Sequence, residues 1–322
     1  MNATRTVAAV DMGAESGRVV TVDFDGTRFD LTVHHRFTHE PVPRDGILRW
    51  DFDTIIEGIR TGLGTVSRTA RGAESVGVDA WGVDYGLLDG SGQLVDLPTC
   101  YRDPRQVEAM HEAIAILGRD RIYRATGVQI IAINTVFGLR ADVTGSSGRL
   151  DKARTLLMMP DLLHHELCGS TVAEFTEVST SGAFDMARNR WADELLADLG
   201  VPSRLLPEVV PPGTDLGGLI GATGSLRGAR VITPATHDTA SAVVGTPLAS
   251  PDAVYISSGT WSLIGVEVPA PCVSEATLRA NLTNEGGYGG RIRLLRNVMG
   301  LWILQECRRA WHDEGRSLDY EQ

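Results

Sequence analysis

Residues 6–22 read TVAAVDMGAESGRVVTV, two β-branched and apolar runs that flank a short polar turn. The pattern predicts strands at 6–10 and 18–24, and a third strand follows at 29–37. Asp25-Gly26 separates the last two strands and favours a hairpin, because the turn needs positive φ. We therefore predict an antiparallel β-meander at the start of the chain.

The segment after the meander differs from strict alternation of strands and helices. Apolar residues at helical spacing predict an amphipathic helix over 53–71, with Asp53 or Thr54 at its N-cap. Short strands are predicted at 76–78 and 85–88. This β-β-β-α-β order indicates an α/β fold other than the doubly wound dinucleotide fold.

A second strand-turn-strand motif lies far along the chain. Residues 253–256 and 261–266 predict two strands joined by the turn Ser257-Ser258-Gly259-Thr260. A mainly helical stretch over about 105–200 separates the two motifs, and another helix is predicted at 238–244. The repetition predicts two domains, 1–247 with the helical insertion and 248–322, although two unrelated hairpins would give the same pattern.

Composition and charge narrow the classes of function. The 322-residue chain has 30 basic and 41 acidic residues, a formal charge of 30 − 41 = −11. Because no basic run gathers with aromatic residues, we expect no nucleic-acid surface. We see no export signal and no apolar run near the ~20 residues of a membrane span, so we expect no membrane partner. Four cysteines without C-x-x-C spacing indicate neither a disulfide framework nor a zinc site, which is typical of a cytoplasmic protein.

Both turns carry the small and polar residues that suit a phosphate site. In the first turn, glycines such as Gly13 and Gly17 let the backbone approach a ligand, so that successive N–H groups can bind an anion. Arg18 adds positive charge, and Asp11 at a strand end is placed to hold Mg²⁺ through water. A D-x-G turn alone is more often only a turn. Paired with the polar turn 257–260, it predicts a cleft that holds a triphosphate.

Other nucleotide motifs do not occur in the sequence. The chain lacks G-x-x-x-x-G-K-[ST], which excludes a Walker loop. The glycines of 286–290 lack the preceding strand and following helix that frame a dinucleotide fingerprint. A dehydrogenase is therefore a weak alternative.

A carboxylate and an aromatic segment are candidates for the acceptor side of the reaction. Phosphoryl transfer to a hydroxyl needs in-line placement, charge neutralisation and one base. Asp238, between His237 and Thr239 at a predicted strand-to-helix junction, is the candidate base, although an Asp there is usually a helix N-cap. Residues 79–85 combine Trp81 with carboxylates, a mix that suits a sugar, although Trp81 is equally compatible with the core.

Taken together, these residues resemble the FGGY carbohydrate kinases of the actin-like ATPase superfamily. The match runs across nearly the whole chain, and its motifs are DMGAESGR at 11–18, WGVDY at 81–85, YRD at 101–103, MPD at 159–161, HDTAS at 237–241, SSGTWS at 257–262, NEGG at 284–287 and NVMGLW at 297–302. The resemblance implies an α/β fold with two domains of the actin-like, ribonuclease H-like type.

The resemblance also implies roles for individual residues. The residues on the nucleotide side would be Ala14, Glu15, Ser16, Gly17, Arg18, Thr260 and Gln305. The residues on the sugar side would be Gly82, His237, Asp238, Thr239 and Asn297, with Asp238 as the general base. The branch that the chain resembles most implies phosphorylation of L-rhamnulose to L-rhamnulose 1-phosphate in L-rhamnose breakdown, with ATP and Mg²⁺.

Members of the family continue well past Gln322, so the resemblance implies a truncated second domain. Three alternatives stay open: a fragment of a longer protein, a second polypeptide that supplies the rest, or a sugar-binding remnant without catalysis. Another FGGY ketose or polyol kinase is a further alternative. Truncation would expose the apolar residues 301–304.

Overall fold

The structure is a computed structural model that describes residues 4–316, and its strands fall into two main sheets and four short pairs. The strands are β1 (Arg5–Met12), β2 (Ser16–Phe24), β3 (Phe29–Thr38), β4 (Pro41–Arg44), β5 (Ile47–Trp50), β6 (Ser75–Asp79), β7 (Tyr85–Leu88), β8 (Thr155–Met158), β9 (Ala173–Glu174), β10 (Phe184–Asp185), β11 (Arg190–Trp191), β12 (Val209–Val210), β13 (Asp215–Gly218), β14 (Arg230–Ile232), β15 (Tyr255–Ser258), β16 (Trp261–Val268), β17 (Thr283–Gly286) and β18 (Ile292–Met299).

Most of the helices lie between β6 and β13 in sequence. They are α1 (Phe52–Val66), α2 (Arg105–Leu117), α3 (Arg119–Thr126), α4 (Thr135–Thr144), α5 (Arg149–Lys152), α6 (Met159–Cys168), α7 (Phe175–Val178), α8 (Asp193–Asp198), α9 (Asp238–Val244), α10 (Glu275–Arg279) and α11 (Trp302–Asp313). Helices α2 to α8 form the predicted helical insertion, interrupted by short strands. Among residues 4–316, no helix is both long and apolar enough to cross a membrane.

The first sheet contains the predicted meander. Its strand order is β13-β14-β6-β1-β2-β3, with β1 antiparallel to β2 and parallel to β6. Alternate residues of β1, namely Ala8, Val10 and Met12, point into the core, as expected for a strand with one buried side. Within this sheet the predicted order β-β-β-α-β holds for β1, β2, β3, α1 and β6. The prediction missed the β4–β5 hairpin between β3 and α1, and β7 lies outside this sheet and pairs with β8.

The second sheet contains the predicted second hairpin. Its order is β15-β16-β18-β17, and all neighbouring strands are antiparallel. The proposed domain boundary at 247 falls in the connection between α9 and β15. Large apolar side chains of this region are exposed: Val254, Ile256, Ile264, Leu301, Ile303 and Leu304. The prediction of exposed apolar residues at 301–304 is confirmed for Leu301, Ile303 and Leu304, whereas Trp302 is half-buried.

Helix α1 begins earlier than predicted. Asp51 is its N-cap, with a side-chain oxygen 3.3 Å from the backbone nitrogen of Thr54, so neither predicted cap residue serves. The helix ends at Val66, because the backbone N–H groups at 67–69 turn back to carbonyls of the last turn. The buried face of α1 consists of Phe52, Ile55, Ile56, Gly58, Ile59, Gly62, Leu63 and Val66.

Two glycines let α1 approach the meander closely. A Cβ atom at Gly58 would lie 2.6 Å from Phe37 Cε2 and closer still to Cδ2 of that ring, and one at Gly62 would lie 2.6 Å from Val19 Cβ. Gly64 in the same helix has only Arg68 Nη1 nearby, at 3.8 Å. The contact between helix and sheet therefore depends on the absence of side chains at two positions four residues apart.

We expect Gly62→Ala and Gly64→Ala to change stability in opposite directions. Alanine favours helix by about 0.5–1 kcal/mol over glycine, and Gly64→Ala should stabilise the protein by that amount. At Gly62 the added methyl group overlaps Val19, and such overpacking costs about 1–3 kcal/mol. Urea unfolding of both variants and of the wild type measures the difference. Equal stabilisation by both substitutions would contradict the close packing.

Candidate active site

A cleft of about 740 Å³ lies where the two hairpin turns meet. The parallel pairing of β1 with β6 places Asp11 opposite Asp79 at the ends of their strands. The residues that line the cleft include Asp11, Gly13, Ala14, Arg18, Asp79, Trp81, Gly82, Gln129, Thr180, His237, Asp238, Thr239, Ser257, Ser258, Gly259, Thr260, Glu285 and Asn297. Both predicted phosphate turns and the predicted base thus border one space.

Arg18 and Asp11 form an ion pair at the rim of this cleft. Arg18 Nε donates to Asp11 Oδ2 at 2.7 Å, and the two side chains are 46% and 38% exposed. Because both are open to solvent, the pair contributes little stability. It leaves the guanidinium within reach of an anion that enters the cleft.

Asp79 lies in the cleft near two other carboxylates, those of Asp11 and Asp238. Asp79 Oδ1 is buried and has no hydrogen-bond partner. Desolvation raises the pKa of Asp79 well above its ordinary value, and the charges of Asp11 and Asp238 raise it further. In residues 4–316, no group of three or more acidic, histidine or cysteine side chains is arranged to hold a metal ion alone. Mg²⁺ that also binds phosphates needs only one or two carboxylates, and Asp11, which lines the cleft, fits that requirement.

Asp238 is the first residue of α9, and His237 is the N-cap residue. The alternative reading of Asp238 as an ordinary N-cap is therefore wrong. Its carboxylate accepts the backbone N–H of Thr239 at 2.5 Å, and 38% of its side chain reaches solvent through the cleft. Desolvation raises the pKa of Asp238 to about 6, while the Thr239 hydrogen bonds and the Arg293 charge oppose that shift. The group is ionised at neutral pH and has the affinity for a proton that a general base requires.

A buried glutamate holds the segment in front of Asp238. Glu174 Oε2 accepts from Thr236 N at 3.0 Å and from Thr236 Oγ1 at 2.7 Å. Thr176 Oγ1 accepts from His237 N at 3.2 Å. These contacts were not predicted from the sequence, because no pattern near Glu174 indicates that its side chain binds a loop more than 60 positions later.

The residues predicted for the sugar lie around His237. A Cβ atom at Gly82 would lie 3.2 Å from His237 Nε2, so only glycine leaves this approach open. Asn297 donates from Nδ2 to Glu285 Oε1 at 3.3 Å, and its backbone N–H donates to Gln129 Oε1 at 2.9 Å. The structure thus brings Gly82, His237, Asp238, Thr239 and Asn297 to one cleft, and it adds Gln129 and Glu285 to them.

Trp81 is mostly a core residue. It is 5% exposed, and its Nε1 donates to Asp84 Oδ2 at 2.8 Å. His39 stacks on its ring with centroids 5.3 Å apart. The indole borders the cleft, but most of its ring is already covered by protein.

Not every residue predicted for the nucleotide lines the cleft. Ala14, Arg18 and Thr260 do. Ser16 and Gly17 are the first residues of β2, and a Cβ atom at Gly17 would lie 2.5 Å from Phe37 Cζ, so this glycine faces the interior. Glu15 and Gln305 lie outside the lining and contact each other instead, with Gln305 Nε2 donating to Glu15 Oε2 at 3.3 Å.

Comparison with known proteins identifies one family over most of the chain. The model of the FGGY family of carbohydrate kinases, N-terminal domain, matches residues 6–245, and the C-terminal domain model matches residues 254–322. A rhamnulokinase of Pectobacterium atrosepticum is 45% identical over 305 residues, which are 94% of this chain and 61% of that protein. A rhamnulokinase of Yersinia pestis is 40% identical over 303 residues, which are 94% of this chain and 62% of that protein. The chain thus spans about three fifths of the length of these relatives.

Solved structures share the fold at low sequence identity. A ligand-bound xylulose kinase from Lactobacillus acidophilus has a TM-score of 0.82 at 15% identity, over 95% of this chain and 62% of that chain. Plasmodium falciparum glycerol kinase with ADP has a TM-score of 0.77 at 14% identity, over 95% of this chain and 64% of that chain. The predicted actin-like α/β fold is confirmed.

We expect Asp238 to titrate near pH 6 and Asp11→Asn to lower that value. A neighbouring negative charge raises the pKa of a carboxyl group, so its removal favours ionisation of Asp238. Carboxyl ¹³C chemical shifts measured against pH report the midpoint, and Asp25→Asn in the turn between β2 and β3 is the control. A wild-type midpoint near the ordinary 3.8 would contradict the desolvation of Asp238.

Proposed function

Because the chain belongs to the FGGY family of carbohydrate kinases, we propose that it transfers the γ-phosphoryl group of ATP to L-rhamnulose, giving L-rhamnulose 1-phosphate in L-rhamnose breakdown. The observation that carries the proposal is the position of Asp238, which borders the same cleft as both polar turns. The sugar is proposed from the relatives named rhamnulokinase. A kinase for another ketose or polyol is the alternative.

In the proposed reaction the sugar hydroxyl loses its proton to Asp238 and gains the phosphoryl group. The carboxylate accepts the proton of the sugar hydroxyl, and the hydroxyl oxygen forms a bond to the γ-phosphorus. The bond between the γ-phosphorus and the β,γ-bridging oxygen breaks, and ADP leaves with that electron pair. With the pKa of Asp238 raised to about 6, the base is ionised at neutral pH and becomes protonated, and thus inactive, as the pH falls below that value.

The polyphosphate is proposed to lie between the two turns. Arg18 supplies fixed positive charge, and the backbone at Ala14 and Thr260 borders the space. Glu15, Ser16, Gly17 and Gln305 are proposed as the outer part of this nucleotide site. Mg²⁺ bound with the nucleotide would neutralise phosphate charge, and Asp11 would hold the ion through water.

The ketose is proposed to bind against Gly82, His237, Thr239 and Asn297. These residues present both donors and acceptors, which suits a polyhydroxylated ligand. An ATP-consuming enzyme with four unpaired cysteines fits the reducing cytoplasm, and we propose that location.

Calorimetry and a coupled assay for ADP release test the proposal. We expect the chain to bind L-rhamnulose and ATP, and to release ADP faster with L-rhamnulose than with L-xylulose or glycerol. Sugar binding without nucleotide binding or turnover would favour a sugar-binding remnant, or a requirement for a further segment or polypeptide. Faster turnover of another sugar would overturn the substrate assignment.

Asp238→Asn is expected to lower kcat by ~10²-fold or more, because it removes the proton acceptor and keeps the size of the side chain. The sugar affinity measured by calorimetry should stay within a few-fold of the wild type. Asp252→Asn, at an exposed turn residue outside the cleft, is the matched control. Undiminished turnover in Asp238→Asn would refute the base assignment.

A further inference from the structure

A buried charge cluster joins the second sheet to the start of α9. Arg293 of β18 is 0% exposed, and its Nη2 lies 3.2 Å from Glu285 Oε2 of β17. Its Nε donates to Gly286 O at 2.8 Å. The same Nη2 lies 2.9 Å from His237 Nδ1. A guanidinium from the second sheet therefore contacts a histidine that lines the sugar side of the cleft.

The chemistry of this contact assigns the protons of His237. A guanidinium has donors only, so Nδ1 of the imidazole must accept the hydrogen bond through its lone pair. In a neutral imidazole one nitrogen carries the proton, and here that nitrogen is Nε2. Burial and the Arg293 charge both lower the pKa of His237 well below its ordinary value, which keeps the ring neutral.

Nε2 points toward the reacting groups. It lies 3.4 Å from Asp238 Oδ1, and His237 lines the cleft together with Gly82. A Gln or Asn there would present both a donor and an acceptor, whereas this histidine presents one N–H. The site therefore offers a fixed donor beside the carboxylate.

We propose that Arg293 is a positioning residue that fixes His237 as the Nε2–H tautomer, so that the cleft presents a hydrogen-bond donor to an acceptor oxygen of the sugar beside Asp238. The sugar part rests on the proposed function, whereas the tautomer does not. The ligand class is a ketose whose carbonyl or hydroxyl oxygen lies next to the reacting hydroxyl. Contact between the second sheet and α9 then determines which nitrogen of His237 carries the proton.

Glu285 makes Arg293 necessary for this arrangement. Its Oε2 lies 3.4 Å from His237 Nδ1, and an ionised carboxylate only accepts hydrogen bonds. Without the guanidinium, the carboxylate favours a proton on Nδ1. The charged groups that contact or closely approach the ring are Asp238, Glu285 and Arg293. Arg293 and Glu285 thus favour opposite protonation of the same nitrogen.

The imidazole ¹⁵N chemical shifts of His237 test the tautomer without sugar or nucleotide. The eight histidines are labelled with ¹⁵N, and the signal is assigned by its loss in His237→Gln. At neutral pH we expect an unprotonated Nδ1 in the wild type and in Arg293→Lys, and a protonated Nδ1 in Arg293→Met. Arg296→Met, on the exposed side of the same strand, is the control and should match the wild type.

An unprotonated Nδ1 in Arg293→Met, or a protonated Nδ1 in the wild type, would overturn the proposal. The wild-type measurement decides even when Arg293→Met does not fold. Calorimetry with L-rhamnulose tests the recognition step separately, and Arg293→Met should bind at least about 10-fold more weakly because a buried donor is lost. If Nδ1 is protonated in Arg293→Met but the sugar affinity of that variant is unchanged, the tautomer assignment stands and its role in sugar recognition is refuted.

Discussion

One backbone contact outside the regular ladders holds the candidate site together. Ala80 N donates to Thr236 O at 2.9 Å, and Asp238 N donates to Ala80 O at 2.8 Å. This parallel contact continues β6 by one residue beyond Asp79 and brings the start of α9 beside the ends of β1 and β6. Because the hydrogen bonds use main-chain atoms, the position of Asp238 follows from the sheet itself. Glu174 then fixes the preceding loop, and Arg293 fixes the adjacent histidine.

Local patterns in the sequence were sufficient for the elements, but not for their distant partners. The two hairpins and the helix 238–244 are each encoded by neighbouring residues, through β-branched runs, turn residues and helical spacing. The pairing of β7 with β8 joins residues 85–88 to 155–158, and no short-range pattern reports such a contact. At Gly17 the local pattern was misleading. The sequence predicts a glycine of the turn, but Gly17 lies in β2, and close packing against Phe37 leaves no room for a side chain there.

The residues that the sequence did not reveal are mainly buried polar groups. Arg293, Glu174 and Gln129 lie on different elements from the residues that they contact, and each is unremarkable within its own segment. Burial of a charged group requires specific partners. Those partners exist only after the second sheet packs against the helical insertion and α9. The motif residues mark where ligands meet the protein, whereas these groups hold the motif residues in place.

The acidic residues of the cleft keep their protons to a higher pH than ordinary surface acids do. The pKa of Asp238 is raised to about 6, and burial raises the pKa of Asp79 well above its ordinary value. A cationic ligand that favours the ionised forms expels these protons into solution. The heat of such a binding event then contains the ionisation enthalpy of the buffer. Titrations performed in phosphate and in Tris would therefore yield different apparent enthalpies for one and the same association.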